Sequence, residues 1–364
     1  MKTRIAIIIA AFVTLFASCD KMEQPILFNG DVGESQVVMQ SRLSSGDSMR
    51  IRLSYSRFFL DASPFRMIDN ATFELKVNGS PVPAMANYSD TGYCYYLGYV
   101  PVPGDVLDIT AHVPGHDPIT AHTVMPQAPS ITNVSAFYAG YNVDEGMHQY
   151  TVSFRLNDPV GETNYYVLSI AGTVVEICSS REINATRVYD TIPVGDTTYI
   201  VGPYTVYDTV ITYDTGLVDV HPDFTCHDYL IADPQADLVG GMGESYYYSE
   251  LYFDDSKING LQHEIQLTVL INGYYMDRYY DTWDDPYYGY SRCNYDSTSL
   301  NVTMSLTSYS RDLYLYEQTT NSIDFELGGI ISEPVQIHCN VEGGIGIFAG
   351  KTTTTVPLIN NNGK

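Results

Sequence analysis

From Met49 the chain reads Met-Arg-Ile-Arg-Leu-Ser-Tyr, with apolar and polar residues in strict alternation. A period of two puts one set of side chains on each side of an extended backbone, so the segment is predicted to be a half-buried antiparallel strand. Phe73 to Val77 alternates again and stops at Asn78-Gly79, the commonest two-residue hairpin signal. Tyr93 to Val100 and Val106 to Val113 read as two further strands, separated by Pro101, Pro103 and Gly104. Strands at this spacing, with turn residues between them, predict a small β-sandwich of about 100 residues. Pro126 and Pro129 bracket a short polar link, which is expected to end it. The 32 tyrosines against the single Trp283 strengthen the β reading, because tyrosine, threonine and valine all favour strands.

The second half repeats the pattern at greater length. Tyr150 to Leu156 alternates and ends at the turn Asn157-Asp158-Pro159, with Tyr165 to Ile170 expected to pair with it. Arg187 to Thr215 is rich in Thr, Val and Tyr, with Tyr-Asp-Thr beginning at Tyr189, Tyr207 and Tyr213. It reads as a long hairpin, polar on both sides and turned at Gly195-Asp196, because the spacing is too irregular for a solenoid. His263 to Ile271 and Ser299 to Leu306 are later strands, and Arg311 to Thr320 is the best helix candidate. The fold class is therefore all-β. A sandwich over residues 24–127 is expected to fold alone, followed by a larger antiparallel β domain over 128–350 with at most short helices and a C-terminal tail over 351–364.

The chain opens with Lys2 and Arg4, an apolar run, and Leu15-Phe16-Ala17-Ser18-Cys19. A basic start, a short apolar stretch and small residues before a cysteine make a secretory signal, and the cysteine makes it resemble a bacterial lipoprotein leader. Residues 1–18 would be removed, Cys19 acylated, and 19–23 left as a tether. Ile5 to Ala17 is shorter than the roughly 20 apolar residues a membrane helix needs. Asp20 and Glu23 beside the cysteine favour the cell surface over the periplasmic face, although Lys21 and Met22 dilute that signal. The formal charge of −25 becomes −27 once a leader with two basic and no acidic residues is lost. Such a body is repelled by phosphate backbones, so a nucleic-acid partner is excluded.

Several segments occur in order that resemble one family. They are Asn157-Asp158-Pro159-Val160-Gly161-Glu162-Thr163-Asn164-Tyr165-Tyr166, Phe253-Asp254-Asp255 through Asn259-Gly260, Tyr309 to Tyr316, and Gly343-Gly344-Ile345-Gly346-Ile347-Phe348. With Val124-Met125-Pro126 closing the first half, the chain resembles domain-of-unknown-function family 4249 over nearly its whole mature length. The resemblance implies an outer-membrane lipoprotein with an N-terminal immunoglobulin-like domain, often encoded beside a TonB-dependent receptor. It implies no reaction and no catalytic residues.

The reactive motifs fail on their own terms. Gly344-Ile345-Gly346-Ile347-Phe348-Ala349 fits the dinucleotide string but leads into Lys351 and four threonines instead of a helix, so a strand packed closely through its glycines is expected. His263-Glu264 lacks a second histidine at position 267 and reads as an exposed strand residue. No Gly-x-Ser-x-Gly elbow occurs. No enzyme activity and no cofactor are expected. The densest metal-capable cluster is His221, Asp223 and His227, with Cys226 and Asp228 beside them. Aside from Cys19, the cysteines are Cys94, Cys178, Cys226, Cys293 and Cys339. Five allow fifteen pairings with one thiol left free.

The best recognition surface is the stretch holding Tyr274, Tyr275, Asp281, Trp283, Asp284, Asp285, Tyr287 and Tyr288, since aromatic rings with polar edges concentrate binding energy. The plainer alternative is a hairpin whose tyrosines cover a sheet. The sequence thus predicts an outer-membrane, surface-exposed binding or accessory protein for TonB-dependent nutrient uptake. It would hold a small-molecule, peptide or glycan ligand by capture, with a receptor as partner. The alternative is a structural adhesin or fimbria-like component.

Overall fold

Strand dominates the computed structural model, which describes residues 34–58, 61–83, 85–226, 228–231, 248–276, 281–285, 289–326 and 336–360. The first strands are β1 (Val37–Ser44), β2 (Arg50–Tyr55), β3 (Thr72–Val77), β4 (Ser80–Val82), β5 (Ala86–Ser89), β6 (Cys94–Leu97), β7 (Val106–His112) and β8 (Ile119–Val124). Next come β9 (Ser130–Asn142), β10 (Met147–Asn157), β11 (Tyr165–Val194), β12 (Thr197–Val220), β13 (Asp223–Cys226), β14 (Glu250–Asp254) and β15 (Gln262–Asn272). Helix α1 (Gly273–Met276), β16 (Asp281–Asp285), β17 (Gly289–Tyr309), helix α2 (Arg311–Glu326), β18 (Val341–Glu342) and β19 (Ile345–Asn360) complete the series. The all-β expectation holds, and the expected helix continues past Thr320 to Glu326.

Ten strands form one sheet, ordered β12-β11-β17-β19-β1-β2-β6-β5, with β14 paired to β11 and β16 to β17. A five-stranded sheet, β18-β8-β7-β3-β4, covers one end of it, and a four-stranded sheet, β13-β15-β10-β9, covers the other. Two cores result. The first holds Met39, Ile51, Leu53, Leu75, Leu107 and Ile109, and the second holds Phe154, Leu168, Phe224, Ile265, Val302 and Leu306. Burial of these side chains, each contributing about 1.5 to 3 kcal/mol, is the main stabilising term at either end. The strict alternation from Met49 is explained by it: Ile51 and Leu53 face the core while Arg50 and Arg52 face out.

The hairpin at Asn78-Gly79 forms as its sequence requires, with φ of 52° and 77°, the positive pair of a primed turn. Asn78 is also tied down through its side chain. Its Nδ2 donates to Asp105 (3.1 Å), whose other oxygen accepts from the Tyr99 hydroxyl (2.6 Å) and the Val102 amide (2.9 Å). Burial pulls the Asp105 carboxyl upward, but these donors outweigh it and hold the group below its usual range. The aspartate thereby locks the hairpin to the loop before β7.

Three expectations need correction. Tyr165 to Ile170 does not pair with Tyr150 to Leu156: β10 lies between β9 and β15, and β11 belongs to the opposite sheet. The Asn157-Asp158-Pro159 turn opens a corner that carries the chain across the core. Residues 351–360 are not a tail. They continue β19, where they pair with β17 from Tyr309↔Lys351 to Asn301↔Asn360. Nor is the first sandwich closed by residues 24–127, because β19 pairs parallel with β1 (Val38↔Ile345 through Ser44↔Lys351) and contributes Phe348 to the first core. The same strand puts Ile359 in the second core, so β19 belongs to both. The proline link is stitched to it by the hydroxyls of Thr352 and Thr354, which donate to the Pro126 and Pro129 carbonyls at 2.7 and 2.8 Å.

The glycine-rich string in β19 is a strand packed through its glycines. A Cβ on Gly346 would lie 1.9 Å from the Met39 carbonyl oxygen, and one on Gly350 would lie 2.4 Å from the Met125 sulfur. Alternation then sends Ile347 and Ala349 to the other side, where Leu313 and Tyr316 of α2 cover them. Ser310 starts that helix, its carbonyl accepting from the Tyr314 amide and its hydroxyl from the Leu313 amide.

Candidate functional site

The expected hairpin turned at Gly195-Asp196 is real and longer than its sequence suggested, since β11 and β12 pair from Gly172↔Val220 to Val194↔Thr197. Strand β17 accompanies β11 only as far as Ser180↔Ser291. Beyond that level a two-stranded ribbon of about 14 residues per strand extends for roughly 45 Å. Consecutive residues of a strand face opposite sides, and Val210 and Ile211 are both exposed, so neither face of the ribbon is covered there. Tyr189, Ile192 and Val194 are exposed as well, and nearer the base Tyr213 is 74% and Leu217 70% exposed. The arm was expected to be polar on both sides, but exposed apolar side chains stand on it as well, because its tyrosines and valines are equally good strand formers in water and inside a core.

The Tyr/Asp-rich stretch stands beside the base of the arm. Asp281 to Asp285 form β16, a hairpin with β17 in which Asp281 pairs with Cys293 and Trp283 with Ser291. At the level of Cys293 the row runs Asp281, Cys293, Cys178, Asp214 across four strands. A disulfide joins Cys178 to Cys293 in the middle of that row. Tyr274 on α1 is exposed, whereas Tyr275 packs against the second core, its ring 5.1 Å from that of Tyr295. Tyr287 and Tyr288 lie outside the described residues, as does Cys19 with the rest of residues 1–33. The hairpin backbone is thus present, with Tyr275 serving the core and Tyr274 facing solvent.

A second constellation gathers at the corner after β10. Asp158 and Asp255 are both buried. Asp158 accepts from the Tyr166 hydroxyl (2.7 Å) and the Gly260 amide (2.8 Å). One oxygen of Asp255 accepts from the side-chain amides of Asn164 (3.1 Å) and Asn259 (3.3 Å), and both amides also donate to the Glu162 carbonyl. The corner and the loop after β14 are therefore knotted together by the residues of two separated sequence segments. These are the Asn-Asp-Pro…Asn-Tyr-Tyr and Asp-Asp…Asn-Gly segments on which the family resemblance rests.

The family model for Domain of unknown function (DUF4249) matches residues 23–356. The chain belongs to this family. No curated protein matches it. The matched span takes in both cores apart from Ile359, the arm and most of β19, so the DUF4249 unit is the whole double sandwich and not one half of it.

In this DUF4249 chain the paired aspartates have an electrostatic consequence. Burial raises the Asp158 carboxyl above its usual range, and the neighbouring Asp255 adds to it, while the Gly260 and Tyr166 donors work against it. A raised carboxyl is protonated more readily in the folded state than in the unfolded one. Its stabilisation is therefore complete below the ordinary value of 3.8 and is lost as pH rises through the folded value. Asp255→Asn removes the like charge. Urea unfolding from pH 4 to pH 8 is expected to show a smaller fall in stability for the variant than for the parent, and an equal fall would show that the two carboxyls do not interact.

The metal-capable cluster is not gathered. His221 is exposed, Cys226 points into the second core with its thiol pushed up to about 11 by burial, and His227 lies outside the described residues. Asp223 shares no metal-sized group with them among the described residues. Asp228 instead pairs with Nε2 of His263 at 2.5 Å. His263 is therefore half-buried and hydrogen-bonded to Asp228, not the exposed strand residue its sequence suggested. The one group with converging ligand atoms among the described residues, Glu176 with Cys178 and Cys293, has both sulfurs in the disulfide and offers no thiolate. Besides that bond, the described cysteines Cys94, Cys226 and Cys339 are free thiols.

Proposed function

We propose that this DUF4249 chain is a lipid-anchored, surface-exposed outer-membrane protein that acts by capture, without catalysis, as an accessory to a TonB-dependent nutrient receptor. The observation that carries the reading is the arm. Exposed apolar side chains on both faces of a projecting ribbon, with a Tyr/Asp-rich hairpin at its base, make a surface suited to a protein partner or to a peptide or glycan presented by one. The leader ending at Cys19 supports the membrane attachment, and the family resemblance supports the receptor. A second reading has its own observation. Among the described residues β12 is the last strand of the ten-stranded sheet and leaves a long unpaired edge, as an adhesin or fimbria-like subunit that adds copies of itself would need.

Pull-down of the native lipoprotein from detergent-solubilised outer membrane separates the two. A co-purifying β-barrel receptor supports the accessory reading, and homopolymers alone support the adhesin. Trp283→Ala is expected to weaken receptor capture by about 1 to 3 kcal/mol with little change in melting temperature. A loss of stability with capture unchanged would move Trp283 from the recognition surface into the packing. Cys19→Ala is expected to release the protein from membranes, and a processed variant that still sediments with them would end the lipoprotein reading.

A further inference from the structure

The chain is strongly acidic, yet five of its twelve arginines fall between residues 42 and 66, against only two aspartates in that span. Three of them, Arg42, Arg50 and Arg52, are brought to one outward face by β1 and β2. Gln40 pairs with Arg52 across the strands, and Arg42, Arg50 and Arg52 all line one cleft on that face. Arg50 and Arg52 alternate with the core residues Ile51 and Leu53, so both guanidinium groups leave the sheet on the same side. Like charges side by side on one sheet face destabilise it unless something compensates them.

Helix α2 stands over the adjoining strand β19 and turns this face into a cleft of about 240 Å³, with Tyr316 on one wall, the arginines on the other and Ile347 beneath. One carboxylate serves the three cations. Glu317 pairs with Nε of Arg42 at 2.8 Å, and the Arg42 guanidinium lies over the Tyr316 ring, 5.4 Å from its centroid. Among the described residues Arg52 has the Gly92 carbonyl at 3.4 Å and no carboxylate, and Arg50 has no charged partner. Two guanidinium groups, preorganised by strand backbone and short of counter-charge, therefore face a concave space sized for a small solute.

We propose that this cleft binds a small oxyanion, held by the Arg50 and Arg52 guanidinium groups with the Glu317-oriented Arg42 at its side. Guanidinium donates two parallel hydrogen bonds to carboxylate, phosphate or sulfate oxygens, which gives the site directional recognition in addition to charge. The proposal is independent of the receptor reading, because the cleft lies on the first sandwich and the arm on the other end of the sheet.

The test titrates the full chain in detergent with inorganic phosphate, sulfate and citrate against chloride at constant ionic strength, followed by calorimetry and thermal shift. Saturable binding of at least one anion with a dissociation constant below about 1 mM is expected. Whether phosphate and sulfate or citrate binds tells a tetrahedral from a carboxylate ligand. Arg50→Ala/Arg52→Ala should weaken it at least tenfold. Arg57→Ala/Arg66→Ala, which removes the same charge beyond the end of β2, should leave it unchanged. Absence of saturable binding by all three anions overturns the proposal, and so does equal weakening in the two double variants. Both remove exposed charge, and a circular dichroism spectrum matching the parent confirms the fold of each.

Discussion

Ending the chain at residue 340 is expected to abolish cooperative unfolding in both sandwiches, although the deleted segment is only 24 residues of 364. The truncation removes β18 and β19. The first core loses Val341 and Phe348, the second loses Ile359, and α2 loses Ile347 and Ala349 beneath it. Large buried side chains contribute about 1.5 to 3 kcal/mol each, and a domain's whole stability is about 5 to 15 kcal/mol. The centre of the ten-stranded sheet would also be left with β1 and β17 as two unpaired edges. Calorimetry and near-UV circular dichroism read the result. A surviving transition assignable to the first sandwich would refute the shared role of β19 and restore residues 24–127 as an independent domain.

Gly346→Ala should be the most damaging glycine-to-alanine change among the described residues. Gly346 sits at φ 124°, a backbone conformation that L side chains rarely adopt, directly paired with Met39, whose carbonyl oxygen occupies the place of the missing Cβ. Strain of this kind costs about 1 to 3 kcal/mol and overpacking against backbone a similar amount, so a loss of about 3 kcal/mol or more in urea unfolding is expected. Gly98→Ala provides the control, because nothing lies within 4 Å of its Cβ position. Equal effects at the two glycines would mean that the close approach of β1 and β19 is not a constraint on the fold.

Local order was readable in this sequence wherever polarity alternated. Arg50 to Tyr55, Phe73 to Val77 and the Asn78-Gly79 turn announce themselves because each strand has one wet face and one dry one. Thr352 to Thr355 do not, since four threonines in a row carry no contrast between faces, and Pro357 argues against a strand. The structure tolerates that proline at a register shift between Val302 and Thr303. Pairing across great distances was equally hidden. Nothing in Val37 to Ser44 names Ile345 to Lys351 as its partner, apart from the glycines that make room for it.

The candidate site divides along the same line. The Tyr/Asp stretch was visible by composition, and its hairpin backbone is there. The acidic His221 to Asp228 segment also looked promising, but proximity in sequence did not bring its ligand atoms together, because Cys226 was claimed by the core and Asp228 by His263. The arginine cleft was overlooked for the opposite reason. Its members belong to strands whose alternation had already explained them, and only the placement of α2 beside them makes an exposed face into a concavity.

The parallel pairing of β1 with β19 also sets a clock on biosynthesis. Val38 meets Ile345 across a separation of more than 300 residues, so its loop can close only after nearly the whole polypeptide has been made. Domains at the start of a chain ordinarily fold while the rest is being synthesised. Here the opening segment must wait for the closing one, so β1 of the emerging polypeptide stays without its β19 partner until that last strand arrives.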